Sequence, residues 1–144
     1  MESFKNLGLS QNILDALQKL GYEHPTPIQE IAIPQIINYE NDLKAFAQTG
    51  TGKTAAFGLP ILEMIDNELS DTQAIILSPT RELAIQIAKS IEGFSQNIEN
   101  LKVLAVYGGA SIDDQIRALN KGAQIVVGTP GRTVDLIKRK KLLL

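Results

Sequence analysis

The chain has 144 residues, 44% hydrophobic and 21% charged, with a net charge of −2. That is one domain of ordinary globular composition, so bulk basicity advertises no polyanion partner and any such site must be a local patch. The absence of cysteine excludes disulfides and thiolate metal sites and fits a reducing, cytoplasmic setting; Met1 to Lys5 lack a signal-peptide pattern, and no apolar run approaches the ~18 residues that cross a bilayer.

In chain order, Ile13, Leu14, Leu17 and Leu20 share one helical face, with Gly21 as the stop. A second helix is expected from Pro27, capped by Thr26, with Ile28, Ile31, Ala32 and Ile36 facing inward and a kink at Pro34. Four short, nearly continuous apolar runs follow, at Leu43–Ala47, Ala74–Leu77, Val103–Val106 and Ile125–Val127. Such runs suit strands buried on both faces. Helix-length segments lie between them at Ala55–Asn67, Arg81–Ile98 and Ile112–Leu119, and another runs from Pro130 to about Lys140. Gly58 and Pro60 are expected to disturb the first of these. Repeated strand–helix units predict an α/β domain, a parallel sheet with helices on both faces and ligands at the carboxyl ends of its strands.

The stretch Ala47-Gln48-Thr49-Gly50-Thr51-Gly52-Lys53-Thr54 has the parts of a triphosphate cradle. Small residues let backbone amides approach phosphate oxygens, and the following helix offers its positive dipole end. Lys53 can reach the β- and γ-phosphates, and the Thr54 hydroxyl can ligate Mg²⁺. Ala47 stands where the general pattern opens with Gly. Three further junctions carry amides or a guanidinium: Ser78-Pro79-Thr80-Arg81 with Thr80 as cap, Gly108-Gly109, and Thr129-Pro130-Gly131-Arg132 with Thr129 as cap. Singly these are ordinary turns and helix starts. Together, at the same strand ends, they point to a second polyanion site reading phosphate and not base sequence. The cradle and these junctions are expected along one rim.

These segments together resemble the first RecA-like domain, a P-loop NTPase core, of a DEAD-box ATP-dependent RNA helicase. Five motifs occur in the family's order: the Q motif at 21–29 with Phe4 upstream, motif I at 47–54, motif Ia at 79–84, the GG doublet at 108–109 and motif Ib at 129–132. The resemblance runs from Phe4 to the chain end, and Ala47 is common in this family. It implies ATP and Mg²⁺ as cofactors, held by Thr49, Gly50, Thr51, Gly52, Lys53 and Thr54, with Lys53 and Thr54 serving catalysis. Gln29 would read the adenine edge, for a side-chain amide both donates and accepts there. Phe4 would stack on the base, while Tyr22 and Pro25 shape the loop. Pro79, Thr80, Arg81, Gly108, Gly109, Thr129, Pro130, Gly131 and Arg132 would bind RNA backbone. His24, the only histidine, is read as a loop residue.

No Asp-Glu-Ala-Asp or Ser-Ala-Thr segment is present, nor a second RecA-like domain with its arginine fingers, and the chain ends on Lys138-Arg139-Lys140-Lys141-Leu142-Leu143-Leu144. Residues 1–144 are therefore expected to be an incomplete N-terminal domain, weak in nucleotide binding and nearly without turnover alone. An ATP-gated RNA clamp or assembly factor is the alternative reading, and a DNA translocase on the same core is disfavoured by Gln29 in its Thr-Pro-Ile context.

Overall fold

Residues 3–143 are described by a computed structural model. Three of the four apolar runs form strands: β1 (Ala74–Leu77), β2 (Val103–Val106) and β3 (Ile125–Gly128). They pair in parallel in the order β1-β3-β2, with Leu77 and Val106 both in register with Gly128. Central β3 is buried along its whole length, so its unbroken Ile-Val-Val run matches a strand covered on both faces. On one face Val106 and Val126 pack with Ala123, Leu136 and Leu142, flanked by Ile112, Ile116 and Leu119. Leu136 comes from α6 (Pro130–Lys138), and the three flanking residues come from α5 (Ile112–Asn120). Because the strands end in register, the segments that leave them depart from one edge of the sheet.

The fourth expected strand is corrected. Leu43–Ala47 enters no ladder; Leu43 is exposed and Phe46 is 91% exposed. An apolar run becomes a strand only beside a partner that takes up its amides, and no such pairing exists among the described residues.

The residues divide into two contact units. Among the described residues the first comprises 3–65 with Gly93–Ile98, the second Asp66–Glu92 with 99–143. In the first, α1 (Gln11–Lys19) buries Ile13, Ala16 and Leu17, of which the Ile and Leu side chains each contribute on the order of 1.5–3 kcal/mol. It closes as expected at Gly21: with φ at 81°, Gly21 and Tyr22 donate their N–H groups back to Gln18 and Leu17. Leu20 sits on that cap, 46% exposed, and not on the buried face.

α2 (Pro27–Asn38) starts at Thr26 and continues through Pro34. It buries Gln29, Ala32 and Ile33, whereas Ile31 is 59% exposed. Isoleucines surround this helix, so their pattern selects no face. α3 (Lys53–Met64) begins two residues before the expected start and passes through Gly58 and Pro60, both buried. α4 (Arg81–Phe94) stops before Ile98 because a turn closes from Ile98 N–H to Ser95 carbonyl. α6 stops at Lys138, where Lys140 takes a left-handed φ of 55° and Lys141 donates back to Leu136. That turn sends Leu142 into the core and leaves Leu143 71% exposed.

Candidate nucleotide loop and nucleic-acid edge

The cradle segment of the first unit is wound by two left-handed glycines, Gly50 at φ 77° and Gly52 at φ 80°, immediately before α3. Left-handed residues two apart give the backbone of a concave amide nest, and the first turn of α3 adds its unsatisfied amides. Gly52 is glycine for space as well, because a Cβ there would run into the Gln29 amide. The loop's own carbonyls are taken by side chains. Lys53 Nζ donates to Ala47 at 2.7 Å, Thr51 Oγ1 to Gln48 at 2.7 Å, Thr26 Oγ1 to Thr51 at 2.9 Å and Gln29 Nε2 to Gly52 at 3.0 Å. The residues fit a phosphate-bearing ligand: an exposed ammonium and two left-handed glycines stand at a helix N-terminus, with the Thr54 hydroxyl in its first turn.

Gln29 is 1% exposed, and both ends of its amide are occupied. Its Oε1 accepts from the Thr26 N–H at 3.0 Å while its Nε2 holds Gly52. Gln29, the expected adenine reader, braces the loop through these two bonds. Phe4 is likewise held by protein partners. It is 4% exposed, because the 3₁₀ turn Phe4–Asn6 folds its ring edge-on to Tyr22, whose centroid lies 6.2 Å away. Tyr22 meets Phe94 in the same way at 5.6 Å, so Phe4 belongs to an aromatic cluster and presents no open face.

In the second unit, the ends of all three strands deliver the other expected residues. Pro79, Thr80 and Arg81 follow β1, Gly108 and Gly109 follow β2, and all five are exposed. Thr129, Pro130, Gly131 and Arg132 follow β3, with Pro130 and Gly131 exposed. Thr80 Oγ1 accepts from Leu83 N–H at 3.2 Å, which caps α4 as expected. The Arg81 guanidinium lies over the Tyr107 ring, 5.0 Å from its centroid. Gly109, at φ 81°, turns the chain beside it.

Arg132 behaves differently from Arg81. Its Nη1 and Nη2 donate to the Ala110 carbonyl at 3.2 and 3.1 Å, and Nη1 donates to Gln115 Oε1 at 2.8 Å. Sequence reading missed Gln115, and it also missed Gly128, where a Cβ would strike the Thr133 hydroxyl and Val106. A signal for Gln115 existed: it interrupts the apolar stripe Ile112, Ile116, Leu119 on α5, and a buried amide there must find partners. Among the described residues no group of three His, Asp or Glu side chains could hold a metal, and no helix is long and apolar enough to cross a membrane.

The DEAD/DEAH box helicase family model matches residues 26–144. The chain is 51% identical over 140 residues to the ATP-dependent RNA helicase DeaD of Escherichia coli (strain K12), covering 97% of this chain and 22% of that protein. It is 54% identical over 142 residues to the RNA helicase CrhR of Synechocystis sp., covering 99% of this chain and 28% of that protein. Among solved structures, a DEAD box protein from the hyperthermophile Methanococcus jannaschii superposes with a TM-score of 0.92 at 49% identity, over 99% of this chain and 38% of that one. S. cerevisiae Dbp5 bound to RNA and ADP BeF3 superposes with a TM-score of 0.89 at 34% identity, over 100% of this chain and 36% of that one. The chain thus spans 22 to 28% of the length of these curated relatives.

Proposed function

The chain belongs to the DEAD/DEAH box helicase family, and on that premise we propose that residues 1–144 are the nucleotide-binding portion of an ATP-dependent RNA helicase acting in the cytoplasm. The observation that carries this reading is the loop of left-handed Gly50 and Gly52 wound onto α3 beside Lys53. Lys53 would release the Ala47 carbonyl and hold the β- and γ-phosphates, and Thr49 to Thr54 would offer amides to the same chain of phosphates. Thr54 would be this segment's ligand to Mg²⁺. Gln29 would read adenine by exchanging the Thr26 amide and Gly52 carbonyl for the base edge.

Mg²⁺–ATP supplies the phosphoanhydride whose hydrolysis drives the cycle; the chain's own part is to bind, orient and select it. The exposed edge at Pro79–Arg81, Gly108-Gly109 and Thr129–Gly131 would take a sugar-phosphate backbone through amides, hydroxyls and Arg81. That chemistry holds RNA without reading its bases. A second RecA-like domain beyond these residues would complete the catalytic site, and nucleotide would move the equilibrium only so far as it favours the closed pair.

The experiment is ATPase measurement and ATP titration on the full-length protein. RNA is expected to stimulate hydrolysis more than DNA of the same sequence, and Lys53→Ala should abolish triphosphate binding with the fold intact. Unchanged ATP affinity in that variant would rule out the role given to the loop, and hydrolysis indifferent to RNA would remove the helicase reading.

A further inference from the structure

We propose that Gln115 is a positioning residue of the nucleic-acid edge: with Arg132 it clamps the Gly108-Gly109 turn, so that the Arg132 guanidinium holds that turn and does not bind phosphate. The proposal rests on the RNA-binding reading of this edge. Gly108 and Gly109 are exposed and lack side chains, and Gly109 adopts a left-handed φ of 81°. Glycine pairs lose more conformational freedom on ordering than any other sequence, so amides aimed at a ligand from such a turn need external pins.

The pins are on both sides of the doublet. Gln115 Nε2 donates to the Tyr107 carbonyl at 3.1 Å, just before it. Arg132 donates through both Nη atoms to the Ala110 carbonyl, just after it, at 3.2 and 3.1 Å. Gln115 Oε1 accepts from Arg132 Nη1 at 2.8 Å and closes the ring. Gln115 is 7% exposed, so its amide geometry is fixed by packing as well as by its bonds. The Nη1–Nη2 fork of Arg132, the grouping that would grip a phosphate, is committed to protein acceptors. Arg81 is the contrasting case: exposed, stacked on Tyr107 and free to present its donors at the same edge.

The test is binding of a labelled single-stranded oligouridine to the full-length protein with a non-hydrolysable ATP analogue, across a salt series. Gln115→Leu removes both polar atoms at similar volume and is expected to weaken binding about tenfold, the scale of one lost charge-assisted contact. The slope of log Kd against log salt should stay at its wild-type value, because no phosphate contact is lost. Arg132→Lys keeps the charge but not the fork, and should behave the same way. Arg81→Ala should instead reduce the slope by about 0.7, one counterion on a single strand. Wild-type affinity in Arg132→Lys, or a slope change in Arg132→Ala equal to that of Arg81→Ala, overturns the clamp. Amide hydrogen exchange at Tyr107–Ala110, measured without RNA, should quicken in Gln115→Leu and Arg132→Lys, and unchanged exchange overturns it independently. If Gln115→Leu fails to fold, Arg132→Lys answers both measurements. A wild-type protein that ignores oligouridine while its variants exchange faster would leave the clamp standing and remove the RNA reading.

Discussion

The candidate nucleotide loop and the sheet edge are both proposed phosphate sites, yet they are held by different bonds. The loop at Ala47–Thr54 is closed by four side chains, Thr26, Gln29, Thr51 and Lys53, each donating to a loop carbonyl. The sheet edge hangs from a backbone ladder, with Ser78 N–H donating to the Gly128 carbonyl and Thr129 N–H to Val106. Side-chain bonds of this kind are individually modest, about 0.5–1.5 kcal/mol net, and a ligand can replace them one at a time. Ladder bonds break only with the sheet. On the proposed function the loop is therefore the part that would exchange partners with nucleotide, and the edge would be a preformed platform apart from its glycine doublet.

Substitutions can break this contrast, beginning with the largest effect. Gly52→Ala would put a Cβ on the Gln29 amide at a φ of 80°, costing about 2–3 kcal/mol in the loop conformation. ATP affinity, measured by titration, should fall by more than about thirtyfold with little change in the unfolding midpoint. Equal affinity would mean that the loop is not specified by its glycines. Gly128→Ala should do the reverse, destabilising the fold by about 2 kcal/mol through contact with Thr133 and Val106, as read from the denaturant midpoint.

Gln29→Ala comes next. It should erode discrimination between ATP and GTP, and also loosen the loop, at a combined cost of about 1–2 kcal/mol in ATP binding. Retained selectivity with weakened affinity would leave Gln29 as a brace alone. At the small end, Asp135→Ala removes an exposed i,i+4 bond to Arg139 and should shift stability by no more than about 0.5 kcal/mol. A larger loss would show that the end of α6 is more tightly tied to the fold than its exposure suggests.

What could be read from the chain followed the same division. Strands β1 to β3 were legible because each is a short apolar run between turn residues, and the left-handed loop into α3 because its glycines stand where the turn requires them. Helix ends were less legible: nothing in Lys138-Arg139-Lys140-Lys141 announces that a lysine takes the left-handed position glycine usually fills. The inward face of α2 was hidden by isoleucines on every side, and Leu43–Ala47 looked like a strand because apolarity does not say whether a neighbour is present. The placements of Gln29 and Phe4 depended on partners far along the chain, Gly52 in one case and Tyr22 with Phe94 in the other. Such pairings have no local signature.

The aromatic cluster sets a rule for anyone trimming this protein. Phe4, Leu7, Leu9, Ile13 and Leu17 are all buried, so a chain begun at Thr26, where the family match begins, would bare Phe94 and the apolar surface those side chains cover. Such a product should be sticky and short-lived in solution, and an expression boundary belongs ahead of Phe4.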